Sequence, residues 1–416
     1  GRKTSTPTPR PRPSCSTERG LSQGTLDPRI LRAVTVLSVA GFGSGMSQRV
    51  LDPLLSRLEA DFGRPLAQVS WVVTGFTLAY ALSQLLFGPL GDRYGKLRVI
   101  TWTCGASSIA SLFCALAPDL PSLVAARVLA GAMVAAPIPL AMAFIGDAVP
   151  YEQRQPVLAR FTIGQIFGVA SAQLLGGLSA DYVGHWAPFA LLTTLFAAST
   201  WMLVPLRKEL EAPASRATRR ASVTGLLREF ARVFEEPWAR RVLVTVFLEG
   251  ACVMGAFAFF ATHLHRALGI SFTLAGSAAT LFGLGGLVFA TSARRLLARA
   301  GESGLILGGG ALLLVMMTLV AIAPSTVVAA AACFATGMGF YMYHSTLQTH
   351  ATQMAPTRRG AAVAAFALCY FLGQSVGVSI AGWGVTHFGA APVITTAAIG
   401  VMLTALAFAR SRSRRH

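Results

Sequence analysis

Gly88-Pro89-Leu90-Gly91-Asp92-Arg93-Tyr94-Gly95-Lys96-Leu97-Arg98 is the stretch on which the reading of this chain turns. It is short, glycine-rich and charged. An apolar run flanks it on each side, at about 69–90 and 97–117, each long enough to cross the ~30 Å hydrocarbon core of a bilayer as a helix. Gly88 and Gly91 let the preceding helix approach a neighbour closely, and Gly95 permits a tight turn. Arg93, Lys96 and Arg98 are what a cytoplasmic loop carries under the positive-inside rule. That rule does not explain Asp92. A carboxylate at the membrane edge is placed to accept hydrogen bonds from a helix N-terminus across the bundle, where the helix dipole favours an anion.

The same alternation of apolar run and charged turn fills the chain. Of 416 residues, 54% are hydrophobic and 12% charged, against about 25% charged in ordinary globular proteins. Twelve spans are expected, at about 30–58, 69–90, 97–117, 120–145, 156–180, 186–206, 241–262, 272–292, 304–323, 326–349, 361–386 and 391–409. They divide into an N-terminal six-helix bundle (30–206) and a C-terminal one (241–409). Residues 1–29, rich in Pro, Ser, Thr and Arg, read as a disordered tail. The central loop, 207–240, includes Arg216, Arg219 and Arg220 and a possible amphipathic stretch at 223–234; a basic tail, 410–416, closes the chain. The fold class is therefore an all-α membrane protein.

Net charge is +18, yet about 30 of the Lys and Arg residues fall in tails and loops on one side, a topology signal that excludes a nucleic-acid partner and makes both termini cytoplasmic. Five of the six cysteines (Cys104, Cys114, Cys252, Cys333 and Cys369, but not Cys15) lie inside apolar runs as small buried hydrophobes. No Cys/His spacing suits a metal, no phosphate-binding loop is present, and no nucleophile or acid–base constellation suggests an enzyme.

The two bundles read as repeats. GQIFGV in helix 5 matches GQSVGV in helix 11, and LAGAM in helix 4 matches ATGMG in helix 10, at offsets drifting from about 205 to about 209 residues. Two halves related by an axis along the membrane normal imply a substrate site between them near midplane.

The stretch 88–98 resembles the signature loop of the major facilitator superfamily. The stretches RVLDPLLSRLEADFG, FTLAYALSQLLFGPLGDRYGK and GFYMYHSTLQTHATQMAPTRRGAAVAAF are similar to bacterial efflux permeases of that superfamily, the sugar- or arabinose-efflux type. The resemblance covers essentially all of residues 30–410. It implies a multi-pass inner-membrane transporter that works by alternating access, with Gly88, Asp92, Arg93, Gly95 and Lys96 as a gate latch for the outward-open state. It also implies that Arg127, followed four residues later by Gly131, takes part in proton coupling. Helix 5 carries Gly164, Gly168, Gly176 and Gly177 for close packing, but has Ala172-Gln173 where the family's efflux motif has Gly-Pro. That departure weakens the inference of antiport.

Ionisable residues at membrane depth are functional candidates by default. An arginine such as Arg127 costs ~3 kcal/mol or more there unless paired or wetted; the alternative to a coupling role is snorkelling to the interface. Arg49 and Asp52 share one face of helix 1, either as an ion pair or with Asp52 free to titrate. Glu249 has no basic neighbour at helical spacing in its own helix and ranks first as proton carrier, its alternative being a neutral, hydrogen-bonded acid. Tyr80, Gln84, Gln165, Phe257, Tyr341, His344 and Gln374 are candidates to line a substrate cavity; His185, His263, His265 and His387 are expected to be solvated at outer turns. The expected partners are the lipid bilayer and a small organic solute, with a proton as coupling ion, no other cofactor or metal, and a monomeric state. Export is favoured over a proton-linked importer or facilitator, and substrate identity stays open.

Overall fold

In lipid every backbone amide must find its partner within its own segment, and the apolar runs accordingly fold as helices throughout the computed structural model. The structure describes Gly1, residues 27–210 and residues 223–413. Helix 1 is Pro28–Phe62, helix 2 Leu66–Tyr94, helix 3 Lys96–Ala115, helix 4 Leu120–Ala148, helix 5 Tyr151–Tyr182 and helix 6 Ala187–Leu210. An amphipathic helix, Val223–Glu235, precedes helix 7, Pro237–Leu268. Helix 10 is Thr326–Gln353, helix 11 Pro356–Phe388 and helix 12 Ala390–Arg412. Between helices 7 and 10 lies a 50-residue segment, Phe272–Ala321. A straight helix of that length would measure about 75 Å, more than twice the hydrocarbon thickness. Gly301, at φ 65° and ψ 179°, breaks it, giving helices 8 and 9 and twelve spans in all.

The ends are set by local chemistry. Gly95 (φ 95°) makes the turn between helices 2 and 3. Asp119 caps helix 4 through the Ser122 amide at 2.9 Å, and this bond, together with the Ser122 side chain, holds its carboxyl below the ordinary aspartate range. Helix 5 starts at Tyr151, five residues before the expected boundary, because its first turns are polar and give no hydropathy signal. Cys15, Arg216, Arg219 and Arg220, and most of the two tails, lie outside the described residues.

Each half has its own core. One cluster is built almost wholly from helices 1–6, the other from the amphipathic helix and helices 7–12. Glycine contacts prove the repeat. A Cβ on Gly164 or Gly168 would lie 2.5 and 2.1 Å from the carbonyl oxygens of Ser38 and Phe42 on helix 1. A Cβ on Gly373 or Gly377 would meet the oxygens of Phe247 and Ala251 on helix 7 at 2.0 and 2.2 Å. Every one of these residues is displaced by 209 positions from its counterpart (164 to 373, 38 to 247). Gly131 against Phe76 repeats as Gly337 against Phe282. Gly176 and Gly177 likewise abut backbone, at Val50 and Phe272. All five packing glycines foreseen in the sequence thus sit where only a hydrogen fits.

The halves meet mostly between midplane and the face opposite the termini. There Arg266 pairs with Glu59, the Ala67 amide donates to Thr386 at 2.9 Å, and Ser70 packs against Gly382. Asp181, at the end of helix 5, accepts from the Phe272 and Thr273 amides at 3.1 and 2.7 Å, capping helix 8 across the seam. This far face is closed.

Candidate functional site

Below the closed face the seam opens into a cavity of about 250 Å³, lined by both halves. Its N-terminal wall comes from helices 1 and 5. Helix 1 is interrupted after Arg49 by a turn containing Pro53. At this break Arg49 Nη1 stands 3.5 Å from Asp52 Oδ2, and both side chains are buried. Gln173 donates to the same carboxylate oxygen at 2.9 Å. Arg49 Nη2 reaches the other half, donating to Gln374 Oε1 at 3.3 Å and meeting Met254 Sδ at 2.7 Å, with the Phe257 ring 5.5 Å from its guanidinium carbon. Asp52 is thus joined to Arg49, as the first of the two sequence readings had it.

Behind His344 of the C-terminal wall lies Glu249. It is fully buried, and its Oε2 lies 2.9 Å from His344 Nδ1. The neighbour missing from its own helix is supplied by helix 10. Directly after Glu249, helix 7 widens into a π-turn, Gly250–Met254, where Gly250 presses on the Tyr370 carbonyl of helix 11. Such turns recur at functional sites because one hydrogen-bond register is given up there. His344 stacks on Phe340 at 5.0 Å and lies 4.9 Å from Tyr370. Arg49, His344 and Tyr370 line one cavity. Oε1 of Glu249, Oδ1 of Asp52 and Oε1 of Gln173 are buried and make no hydrogen bond among the described residues.

Of the seven cavity candidates, Gln165, Phe257, Tyr341, His344 and Gln374 line it. Gln165 and Gln374 are again 209 positions apart, one from each half. Tyr80 does not line it: its ring is buried between Phe76 and Phe371, bracing helix 2 on helix 11. Gln84, one turn further, is half-buried beside Tyr80 and also off the cavity wall. The reading missed Gln48, Gln173, Thr280, Tyr370 and Phe371, which do line it. Gln173 had left a signal, since it stands where the family's efflux motif has proline.

One alternative falls, one contact is not made in this conformation, and one expectation is corrected. Arg127 does not snorkel. It is 1% exposed and donates to the carbonyls of Val72 (3.2 Å) and Ser47 (3.0 Å) on helices 2 and 1, with the Phe76 ring 3.9 Å away. Backbone carbonyls and a π face replace water, so the charge is tolerated at depth. Asp92 reaches no helix N-terminus. It is exposed and without a partner among the described residues, while Lys96 pairs with Asp147. A Cβ on Gly88 or on Gly360, at the start of helix 11, would meet no atom within 4 Å, and the latch expected for the outward-open state is not formed in this conformation. Asp181 makes that kind of contact on the opposite face. Finally, His263 is buried and bonded to the Ala321 carbonyl at 3.0 Å, because its side of helix 7 packs on helix 9. No group of His, Cys, Asp and Glu suited to a metal occurs among the described residues.

A two-half helical bundle with a polar cavity on its pseudo-axis is a transporter's plan, and comparison with known sequences decides the family. The sequence model of the Major Facilitator Superfamily matches residues 37–378 and 262–416. The chain belongs to this superfamily. It is 25% identical over 360 residues to the uncharacterized MFS-type transporter YceJ of Bacillus subtilis (strain 168), covering 84% of this chain and 89% of that one. Over 150 residues it is 29% identical to the multidrug export protein EmrB of Escherichia coli (strain K12), covering 36% of this chain and 29% of EmrB. The fold of the nucleoside transporter NupG superposes with a TM-score of 0.74 at 16% identity, over 92% of this chain and 98% of NupG. The chain is a multi-pass membrane transporter of this superfamily, not an enzyme.

Proposed function

We propose that this transporter exports small organic solutes, sugar-like or drug-like, in exchange for protons, as a monomer whose halves rock about the central cavity. The observation that carries the reading is the Glu249–His344 pair at 2.9 Å, whose His344 lines a cavity shared by both halves. A buried acid beside an imidazole can take a proton from one side and release it to the other as solvent access changes. Six aromatic rings and four glutamines line the same space, a surface for flat, partly polar solutes. The arginine bias supports a cytoplasmic position for the face bearing the termini, and on that orientation the conformation closed at the far face is the inward-facing one. Relatedness to a multidrug exporter supports export.

The test uses inverted membrane vesicles acidified inside and loaded with a pH-sensitive dye. Addition of a transported cationic drug, sugar or nucleoside is expected to release protons from the lumen. The release is expected to vanish in Glu249→Gln. Proton uptake in the opposite direction would mean symport and import, and an unchanged gradient with measurable flux would mean a facilitator.

A further inference from the structure

Two grooves lie on the outside of the bundle, at the ends of the helices that start from the face bearing the termini. One, of about 700 Å³, runs between helices 1, 5 and 6 and contains Arg32, Arg160, Leu31, Val36, Met202 and Leu206. The other, of about 590 Å³, lies between helices 7 and 12 and contains Arg240, Arg241, Val244, Leu248, Leu403 and Phe408. Helices 1 and 7 occupy equivalent places in the two halves, and Arg32 and Arg241 are 209 positions apart, the interval that relates the packing glycines. Each follows by four residues the proline that opens its helix, Pro28 or Pro237. The repeat therefore sets one arginine at the same height, about 6 Å above the helix start, in both grooves. A second arginine joins it from helix 5 in one half and from helix 7 in the other.

All four arginines are exposed, and among the described residues none of the four guanidinium groups has a hydrogen bond or ion pair within the protein. Four other basic residues on this face are matched: Arg29 to Glu209, Arg358 to Glu229, Arg412 to Glu302 and Lys96 to Asp147. Below the arginines the walls are apolar and open outward. Met202 is 47% exposed, Val244 51% and Leu403 60%, as suits residues facing acyl chains. A cationic pair above an apolar groove at the membrane edge matches one amphiphile, an anionic headgroup over two acyl chains.

We propose that these grooves are paired binding sites for an anionic phospholipid, one in each half. The placement in the cytoplasmic leaflet rests on the orientation given under Proposed function; binding itself does not.

Native mass spectrometry of the full chain, released from detergent after equilibration with phosphatidylglycerol, phosphatidylcholine or glycerol 3-phosphate, tests this. Two phosphatidylglycerol molecules are expected to be retained, with at least tenfold less phosphatidylcholine or glycerol 3-phosphate at equal concentration. Arg32→Gln/Arg160→Gln and Arg240→Gln/Arg241→Gln are each expected to retain one, and the quadruple glutamine variant none. A quadruple lysine variant, which keeps the charge, is expected to retain two and serves as control against misfolding. Equal retention of phosphatidylcholine or of glycerol 3-phosphate, or undiminished retention by the quadruple glutamine variant, would overturn the proposal. So would equal loss in the lysine and glutamine quadruple variants. None of these readouts depends on transport, so failure here leaves the exporter reading untouched, and the reverse holds.

Discussion

Arg49 Nη2 donates a hydrogen bond to Gln374 Oε1 at 3.3 Å, and that bond crosses from one six-helix half to the other. The same guanidinium holds Asp52 at 3.5 Å within its own half. One buried cation therefore ties the cavity wall of helix 1 to helix 11, and the tie must break for the halves to part at this level.

Breaking a buried pair by removing one partner leaves a stranded charge, at a cost of about 3–5 kcal/mol. Arg49→Gln alone and Asp52→Asn alone are each expected to lower the melting temperature of the purified protein. The double variant, which strands no charge, is expected to recover most of the loss. A double variant as unstable as the sum of the single ones would show that the two residues do not act as a pair.

Glu249→Gln keeps the shape of the acid and removes its proton exchange. Transport driven by a pH gradient is expected to be abolished, with solute binding spared. His344→Gln is expected to lower coupled flux as well, since it removes the imidazole 2.9 Å from Glu249. Proton-coupled flux surviving in Glu249→Gln would place the carrier elsewhere.

Arg127 spans three helices through two carbonyls. Arg127→Gln leaves at least one of them unsatisfied, at about 1–3 kcal/mol. The expected result is lower thermal stability, with Arg127→Lys between it and the parent protein. If Arg127→Gln melts like the parent but loses pH-driven flux, the residue serves coupling rather than packing.

On the far face, Asp181 caps the first amides of helix 8 from the other half. A carboxylate at a helix N-terminus is worth about 1 kcal/mol in such settings, or about fivefold in population. Asp181→Asn is expected to raise the labelling of a Ser70→Cys variant, buried at the seam against Gly382, by about that factor. Asp92 makes no contact in this conformation, so Asp92→Asn is expected to leave the melting temperature unchanged while slowing transport.

Helix number, the repeat and the packing glycines were legible because they depend on local periodicity and on small residues at fixed spacing. Five of the seven candidates line the cavity, four of them because polar side chains in apolar spans have few other places to go. Tyr80 was misplaced because helix rotation decides whether a ring faces the cavity or the seam. His344 was named as a cavity residue, but its pairing with Glu249 needs two helices 95 residues apart in sequence to be set side by side. The same holds for the acid that caps a helix across the seam: the reasoning fitted Asp92, but only the tilt of the halves shows that Asp181 makes the contact here.

Alternating access is tested most directly by distances between spin labels on the two faces. One pair is Val183→Cys with Leu274→Cys, at the far ends of helices 5 and 8; the other is Ile163→Cys with Leu287→Cys, nearer the termini, and all four positions are exposed. In liposomes, across a range of pH and with Asp181→Asn, two populations are expected for each pair. The far-face distance should lengthen as the other shortens. A single distance at each pair, unmoved by pH or by the loss of Asp181, would contradict it.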